Sequence, residues 1–124
     1  MKYTVLIADD SKLQRVILKE NLKDTYDVAE ASGGQECLDL VEHSAGKIDV
    51  VLLDIVMPGM DGFEVLRRRQ ESEVFKKIPV IVLTMSDREE DRELAEQLGA
   101  DGFLLKPVDA KKARLRISRV LEGN

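Results

Sequence analysis

A single cysteine among 124 residues rules out an internal disulfide and points to a reducing compartment. That residue, Cys37, falls in a helical pattern beside Leu38 and Val41, which predicts a buried, inert thiol. No apolar run approaches membrane-spanning length, so a membrane protein is not expected. The opening stretch, Met1-Lys2-Tyr3-Thr4-Val5-Leu6-Ile7-Ala8-Asp9, is too short and turns acidic too soon for a secretory signal, and a cytoplasmic location is expected. Basic residues are in deficit: 19 Lys and Arg stand against 24 Asp and Glu, a net charge of −5. Phosphate backbones attract basic surfaces, so direct nucleic-acid binding is not expected either. A glycine-rich nucleotide loop and a Walker sequence are missing as well. With 44% hydrophobic and 35% charged residues and no repetitive tract, residues 1–124 read as one globular domain with one core.

Strand-like and helix-like segments alternate five times along that length. Tyr3 to Ala8 is apolar and β-prone, after which Leu13, Val16, Ile17 and Leu22 recur at helical spacing. Tyr26 to Ala31 is a weaker strand, followed by Gly33-Gly34 and a helix using Cys37, Leu38 and Val41. Ile48 to Asp54 is an almost unbroken apolar run, the pattern of a strand buried on both faces. Pro-Gly and Asp-Gly pairs then turn the chain into a helix beginning near Gly62. Ile78 to Thr84 is the fourth strand, with Pro79 near its start, where a missing N–H is tolerated. A helix from about Asp87 to Leu98 stops at Gly99, and Gly102 to Leu105 forms a short last strand. Ala113, Ile117, Val120 and Leu121 give the final helix one apolar stripe. Five strand–helix units predict an α/β fold of (βα)5 type, a parallel sheet covered by helices on both faces.

Polar residues end four of these strands: Asp9 and Asp10, then Asp54, Thr84 and Lys106. In a parallel sheet those ends share one edge, where open α/β sheets place their chemistry, so the five are predicted to converge. Three neighbouring carboxylates need a compensating cation, and an all-oxygen cluster suits Mg²⁺. A lysine and a hydroxyl beside them describe a site for a phosphoryl group.

Asp9-Asp10, Asp54 followed by Met57-Pro58-Gly59-Met60-Asp61-Gly62, Thr84, and Lys106-Pro107 together resemble the signature of the receiver domains of two-component response regulators. The resemblance runs from Tyr3 to Leu121. It implies a flavodoxin-like, doubly wound sheet in strand order 2-1-3-4-5. It makes Asp54 the phosphoacceptor for a phosphohistidine on a sensor kinase or phosphotransfer protein. Mg²⁺ is then held by Asp10, Asp54 and the Val56 backbone carbonyl, with Asp9 acting mostly through water. Thr84 and Phe103 become the switch pair, Lys106 the neutralising charge, and Lys106-Pro107 a cis peptide. Such a domain is a self-phosphorylating switch and not an enzyme with a separate small-molecule product. Singly, each residue has an ordinary role: Asp54 or Asp9-Asp10 as helix caps, Lys106 as a solvated lysine, Phe103 as core. The alternative function is a receiver-like scaffold that ignores phosphate. An aspartyl-phosphate hydrolase is expected to carry a second acid where Val56 stands, and the acids of Asp9-Asp10 repel the phosphate that a flavodoxin's first loop binds.

Charge is segregated in the last third. Asp87, Glu89, Glu90, Asp91, Glu93 and Glu96 crowd the fourth helix, and Lys111, Lys112, Arg114, Arg116 and Arg119 crowd the fifth. Two solvated faces explain this, and so does a phosphorylation-dependent homodimer pairing those helices, with Leu115 in the contact. Arg67-Arg68-Arg69 reads as a solvated face, with the Arg69 stem snorkelling along the core edge. Met85, after Thr84, is expected to narrow access to Asp54. Neither Val56 nor Ser86 is suited to orient an attacking water, so the phosphoryl group is expected to be long-lived. Followed by intact mass after donor removal, it should persist well beyond seconds; a half-life of seconds would contradict this.

Overall fold

The computed structural model describes residues 2–122. Within them lie β1 (Thr4–Ala8), α1 (Lys12–Leu22), β2 (Asp27–Ala31), α2 (Gly34–His43), β3 (Val50–Asp54), α3 (Gly62–Arg69), β4 (Val80–Thr84), α4 (Glu89–Gln97), β5 (Gly102–Leu105) and α5 (Ala110–Leu121). A single 3₁₀ turn, Phe75–Lys77, precedes β4. The strands form one parallel sheet in the order β2-β1-β3-β4-β5, which is the flavodoxin-like order expected.

Successive strand residues face opposite ways, so every inner strand feeds two cores. Val5, Ile7, Val50, Leu52, Ile81 and Leu83 pack on one face with Leu18 and Leu22 of α1 and Ala113 and Ile117 of α5. Leu6, Ala8, Val51, Leu53, Val80 and Val82 pack on the other with residues of α2, α3 and α4. All five residues of β3 are buried, which is why that segment lacks any polar alternation. Cys37 is fully buried in the second core, and burial pushes its thiol up to about 12, so it is inert as expected. Gly99 ends the α4 segment with φ +98, the left-handed terminator its position predicts. Among the described residues, no helix is long and apolar enough to cross a membrane.

Two expectations need correction. The apolar residues of α1 do not all face the core: Leu13 is 66% exposed, and Val16 and Ile17 are also exposed. Leu22 of that set is buried as a core residue, and its partner is Leu18, one position after Ile17. The helix therefore presents two apolar faces, and only one of them meets the sheet.

Arg69 is neither solvated nor snorkelling; it is buried, unlike its neighbours Arg67 and Arg68. Its Nε and Nη2 donate to the Ile78 carbonyl at 3.1 and 2.8 Å, and Nη1 donates to the Gly99 carbonyl at 2.9 Å. Nη2 also pairs with Asp101 at 3.2 Å, and the guanidinium stacks 5.9 Å from the Phe75 ring centre. Asp101 in turn accepts from the Val80 amide at 2.9 Å. The planar fork of arginine thus ties the end of α3 to the segments entering β4 and β5. Arg69→Ala leaves those acceptors unpaired and is expected to lower the unfolding free energy by about 2–4 kcal/mol in urea titrations. Arg69→Met keeps the stem and loses the donors, so it should resemble the alanine variant; wild-type stability would restore the snorkelling interpretation.

Candidate functional site

Parallel pairing brings the ends of β1, β3, β4 and β5 to one edge, and the chain leaves each strand there through a loop. Asp9 follows β1, and its side chain is enclosed, 0% exposed. Every polar atom of Asp9 is engaged. Its amide donates to the Ala31 carbonyl at 3.1 Å, and Oδ1 accepts from the Ser11 amide at 2.9 Å. Oδ2 accepts from Lys106 Nζ at 2.9 Å, and the Asp9 carbonyl accepts from Arg15 Nη1 at 2.7 Å. Ser11 then caps α1, its hydroxyl accepting from the Gln14 amide.

Asp54 ends β3 and is almost completely buried, with Oδ2 3.2 Å from Lys106 Nζ. The following loop folds back tightly. The Gly62 amide donates to the Ile55 carbonyl at 2.8 Å, and a Cβ on Gly62 would lie 2.5 Å from the Asp54 carbonyl oxygen. Only glycine permits that approach, which is the local reason for Asp61-Gly62 after Asp54. Asp61 caps α3 by accepting from the Glu64 amide. The Asp-Gly pair therefore serves the loop, while Asp54 is left to face the site.

Asp9, Asp10 and Asp54 each offer a carboxylate oxygen, and the three oxygens lie within 4.8 Å of one another. Asp10 is the exposed member, open to an ion arriving from solvent. Burial, and next the charge of Asp9, raise the Asp54 pKa above the usual carboxylate range, against the opposing effect of Lys106. For Lys106, burial works against the ammonium, but the hydrogen bond to Asp9 and the charges of Asp54 and Asp9 outweigh it and raise its pKa. A cluster with three acids and one base is left short of positive charge. Its donors are all hard oxygens, and the set fits a divalent ion such as Mg²⁺.

Thr84 ends β4 on the same edge, buried, but its hydroxyl accepts from the Ser86 amide at 3.0 Å and forms no hydrogen bond to the acids. Convergence is thus complete for the three acids and Lys106 and partial for Thr84. Lys106 is fixed by its amide, which donates to the Thr84 carbonyl at 2.8 Å, and the Lys106-Pro107 bond is cis as expected. Phe103 is half-buried on β5 beneath Arg92, whose guanidinium lies 5.1 Å from the ring centre. Val56 and Met85, which follow β3 and β4, are 78% and 83% exposed. Two residues that touch this constellation were not singled out in the sequence, Arg15 and Arg92. Arg15 stands one turn into the helix after Asp9-Asp10, and that spacing is the one signal that pointed to it.

Residues 5–118 match the family model for the response regulator receiver domain. The chain is 35% identical over 123 residues to the alkaline phosphatase synthesis transcriptional regulatory protein PhoP of Bacillus subtilis (strain 168), covering 98% of this chain and 49% of that protein. It spans about half the length of that curated relative. Among solved structures, the chemotaxis protein CheY4 of Vibrio cholerae is 30% identical with a TM-score of 0.88, covering 97% of this chain and 99% of that one. The receiver domain of a signal transduction histidine kinase from Syntrophus aciditrophicus is 30% identical with a TM-score of 0.87, covering 98% and 91%.

A carboxyl whose pKa is raised on folding stabilises the folded chain at acidic pH, and that contribution is lost as pH rises through the raised value. At neutral pH the ionised Asp54 is therefore a burden on the fold. Without divalent ions, Asp54→Asn is expected to melt about 3 °C or more above wild type at neutral pH, with the gap closing below about pH 4. Equal melting temperatures across that range would show that Asp54 carries no such burden.

Proposed function

This chain belongs to the response regulator receiver domain family, and on that premise we propose that it is a phosphorylation-controlled signalling switch with Asp54 as its phosphoacceptor. The single observation that carries the assignment is the sharing of Lys106 by two buried carboxylates, one of which, Asp54, adjoins the open Asp10 side of the cluster. An Asp54 carboxylate oxygen attacks the phosphorus of a phosphohistidine. The N–P bond breaks as the O–P bond forms, and the electron pair returns to the imidazole nitrogen, which takes up a proton. Lys106 neutralises charge on the phosphoryl oxygens as they leave the donor. Asp10, Asp54 and the Val56 carbonyl would hold Mg²⁺, with Asp9 acting through water; when bound, the ion supplies further neutralisation of the phosphoryl charge. Thr84 then exchanges the Ser86 amide for the phosphoryl group, donating its hydroxyl, and Phe103 turns inward. The dephosphorylated donor leaves and the phosphoryl group stays on the protein until the chain catalyses its own dephosphorylation.

The donor is a sensor histidine kinase or a phosphotransfer protein. The exposed Leu13, Val16 and Ile17 support this, because they form an apolar helix face directly after Asp9-Asp10. The output lies on α4, β5 and α5. A groove of about 590 Å³ there is lined by Thr84 and Lys106 as well as by Phe103, Leu115, Lys112 and Arg116, so the site and that surface share walls. Acidic α4 and basic α5 suit a second copy docked across a two-fold axis. Residues 1–124 act as one cytoplasmic receiver domain that does not itself bind nucleic acid or membrane. A receiver-like scaffold is the second possibility, and the completeness of the acid–lysine cluster weighs against it.

With acetyl phosphate and Mg²⁺, intact mass should show one added phosphoryl group on wild type and none on Asp54→Asn. Labelled protein should sediment faster than unlabelled. Labelling of Asp54→Asn to the wild-type extent would remove the assignment, and unchanged sedimentation would remove the dimer.

A further inference from the structure

Arg15 reaches back from the first turns of α1 to the end of β1. Its Nη1 donates to the Asp9 carbonyl at 2.7 Å, and its Nε donates to Glu30 Oε1 at 3.1 Å. The Arg15 side chain is only 13% exposed, so little of its length is open to water. Glu30 is itself placed by the sheet, on β2 opposite Ile7 of β1 in the parallel register. A rigid strand thus holds the carboxylate, the carboxylate holds the guanidinium, and the guanidinium holds the backbone from which Asp10 projects.

We propose that Arg15 is a positioning residue for cation binding: its clamp on the Asp9 carbonyl fixes the β1–α1 junction so that Asp10 is already placed when the ion arrives. This rests on the Mg²⁺ site proposed above and adds a residue to its machinery. The junction has three residues, Asp9 to Ser11, and it must turn from strand to helix while presenting Asp10 to solvent. Without the clamp, ordering that turn falls to the binding event and weakens it. Partners one step removed from a metal ligand commonly act this way, by orienting a group that does the binding. Arginine suits the task because its fork spans a carbonyl and a carboxylate together, whereas lysine offers a single point charge.

Simple electrostatics makes the opposite prediction. Arg15 is a positive charge near the acidic cluster, so removing it should tighten binding of a cation. Lys19 serves as the control: its Nζ also pairs with Glu30, at 3.7 Å, but it makes no hydrogen bond to Asp9. Isothermal titration of the unphosphorylated chain with MgCl₂ separates the two effects. Arg15→Ala should raise the Mg²⁺ dissociation constant about tenfold, while Lys19→Gln leaves it unchanged or lower. Arg15→Lys keeps the charge and loses the fork, so it should bind nearly as poorly as the alanine variant. It also serves if Arg15→Ala does not fold by circular dichroism. Wild-type or tighter binding by a folded Arg15→Ala, or by Arg15→Lys in its place, overturns the inference while the metal site stands. No Mg²⁺ binding by the wild type overturns the site and the inference with it.

Discussion

Two buried carboxylates, Asp9 and Asp54, lie on either side of one ammonium group, Lys106 Nζ, at 2.9 and 3.2 Å. Asp9 and Lys106 are 97 residues apart in the chain, and Asp54 comes from between them. Two like charges in a poorly hydrated pocket repel strongly, and removing the ammonium would leave both without a counter-charge. The fold is what makes the arrangement possible. β1, β3 and the chain leaving β5 all finish at one edge only because every strand runs parallel, and parallel strands need the helical crossovers that build the two cores. Sheet register therefore carries the site, since a one-residue slip of β3 would turn Asp54 toward the opposite face.

The two edges of the sheet are built differently. At the entry to β4 and β5, Arg69 and Asp101 tie Ile78, Val80 and Gly99 together with buried, charge-assisted hydrogen bonds. At the exit of the same strands, Thr84 and Phe103 are held more lightly. One has a single amide donor to its hydroxyl, and the other has the stacked guanidinium of an exposed Arg92. The backbone stays paired at that end, where the Lys106 amide donates to the Thr84 carbonyl at 2.8 Å, so only the two side chains are lightly held. Asymmetry of this kind is what a two-state element needs, because the difference between its states must be confined to a few contacts.

Much of this was legible in the sequence because period and position carry it. The unbroken apolar run of β3 follows from burial on both faces, the glycine at position 99 from the left-handed turn that ends the α4 segment, and the polar residues closing four strands from their shared edge. Three features were not legible. Arg69 has the same local context as Arg67 and Arg68, and its burial is decided by carbonyls at Ile78 and Gly99 that only the tertiary fold brings near. Leu13, Val16 and Ile17 have helical spacing, but α1 carries a second apolar pair, Leu18 and Leu22, and sequence alone cannot say which face meets the sheet. Thr84 ends the right strand, yet where its hydroxyl points depends on the Ser86 amide two residues on.

Charge balance gives the proposed reaction its direction. Three carboxylates against one ammonium leave two net negative charges, which a divalent ion cancels. Converting Asp54 from a carboxylate to an acyl phosphate replaces one negative charge by about two, so the pocket gains roughly one negative charge that neither Lys106 nor the ion was balancing. A group on this edge able to answer it with a hydrogen bond is the Thr84 hydroxyl, which uses its oxygen as an acceptor from the Ser86 amide and leaves its proton free to donate. In the proposed switch, turning that hydroxyl toward the new charge would vacate space on the side of the groove that Thr84 shares with Phe103. The aromatic ring would then enter by leaving the guanidinium of Arg92, freeing a cation at the boundary between acidic α4 and basic α5. On this proposal one added charge would be translated into a different distribution of charge on the outer surface.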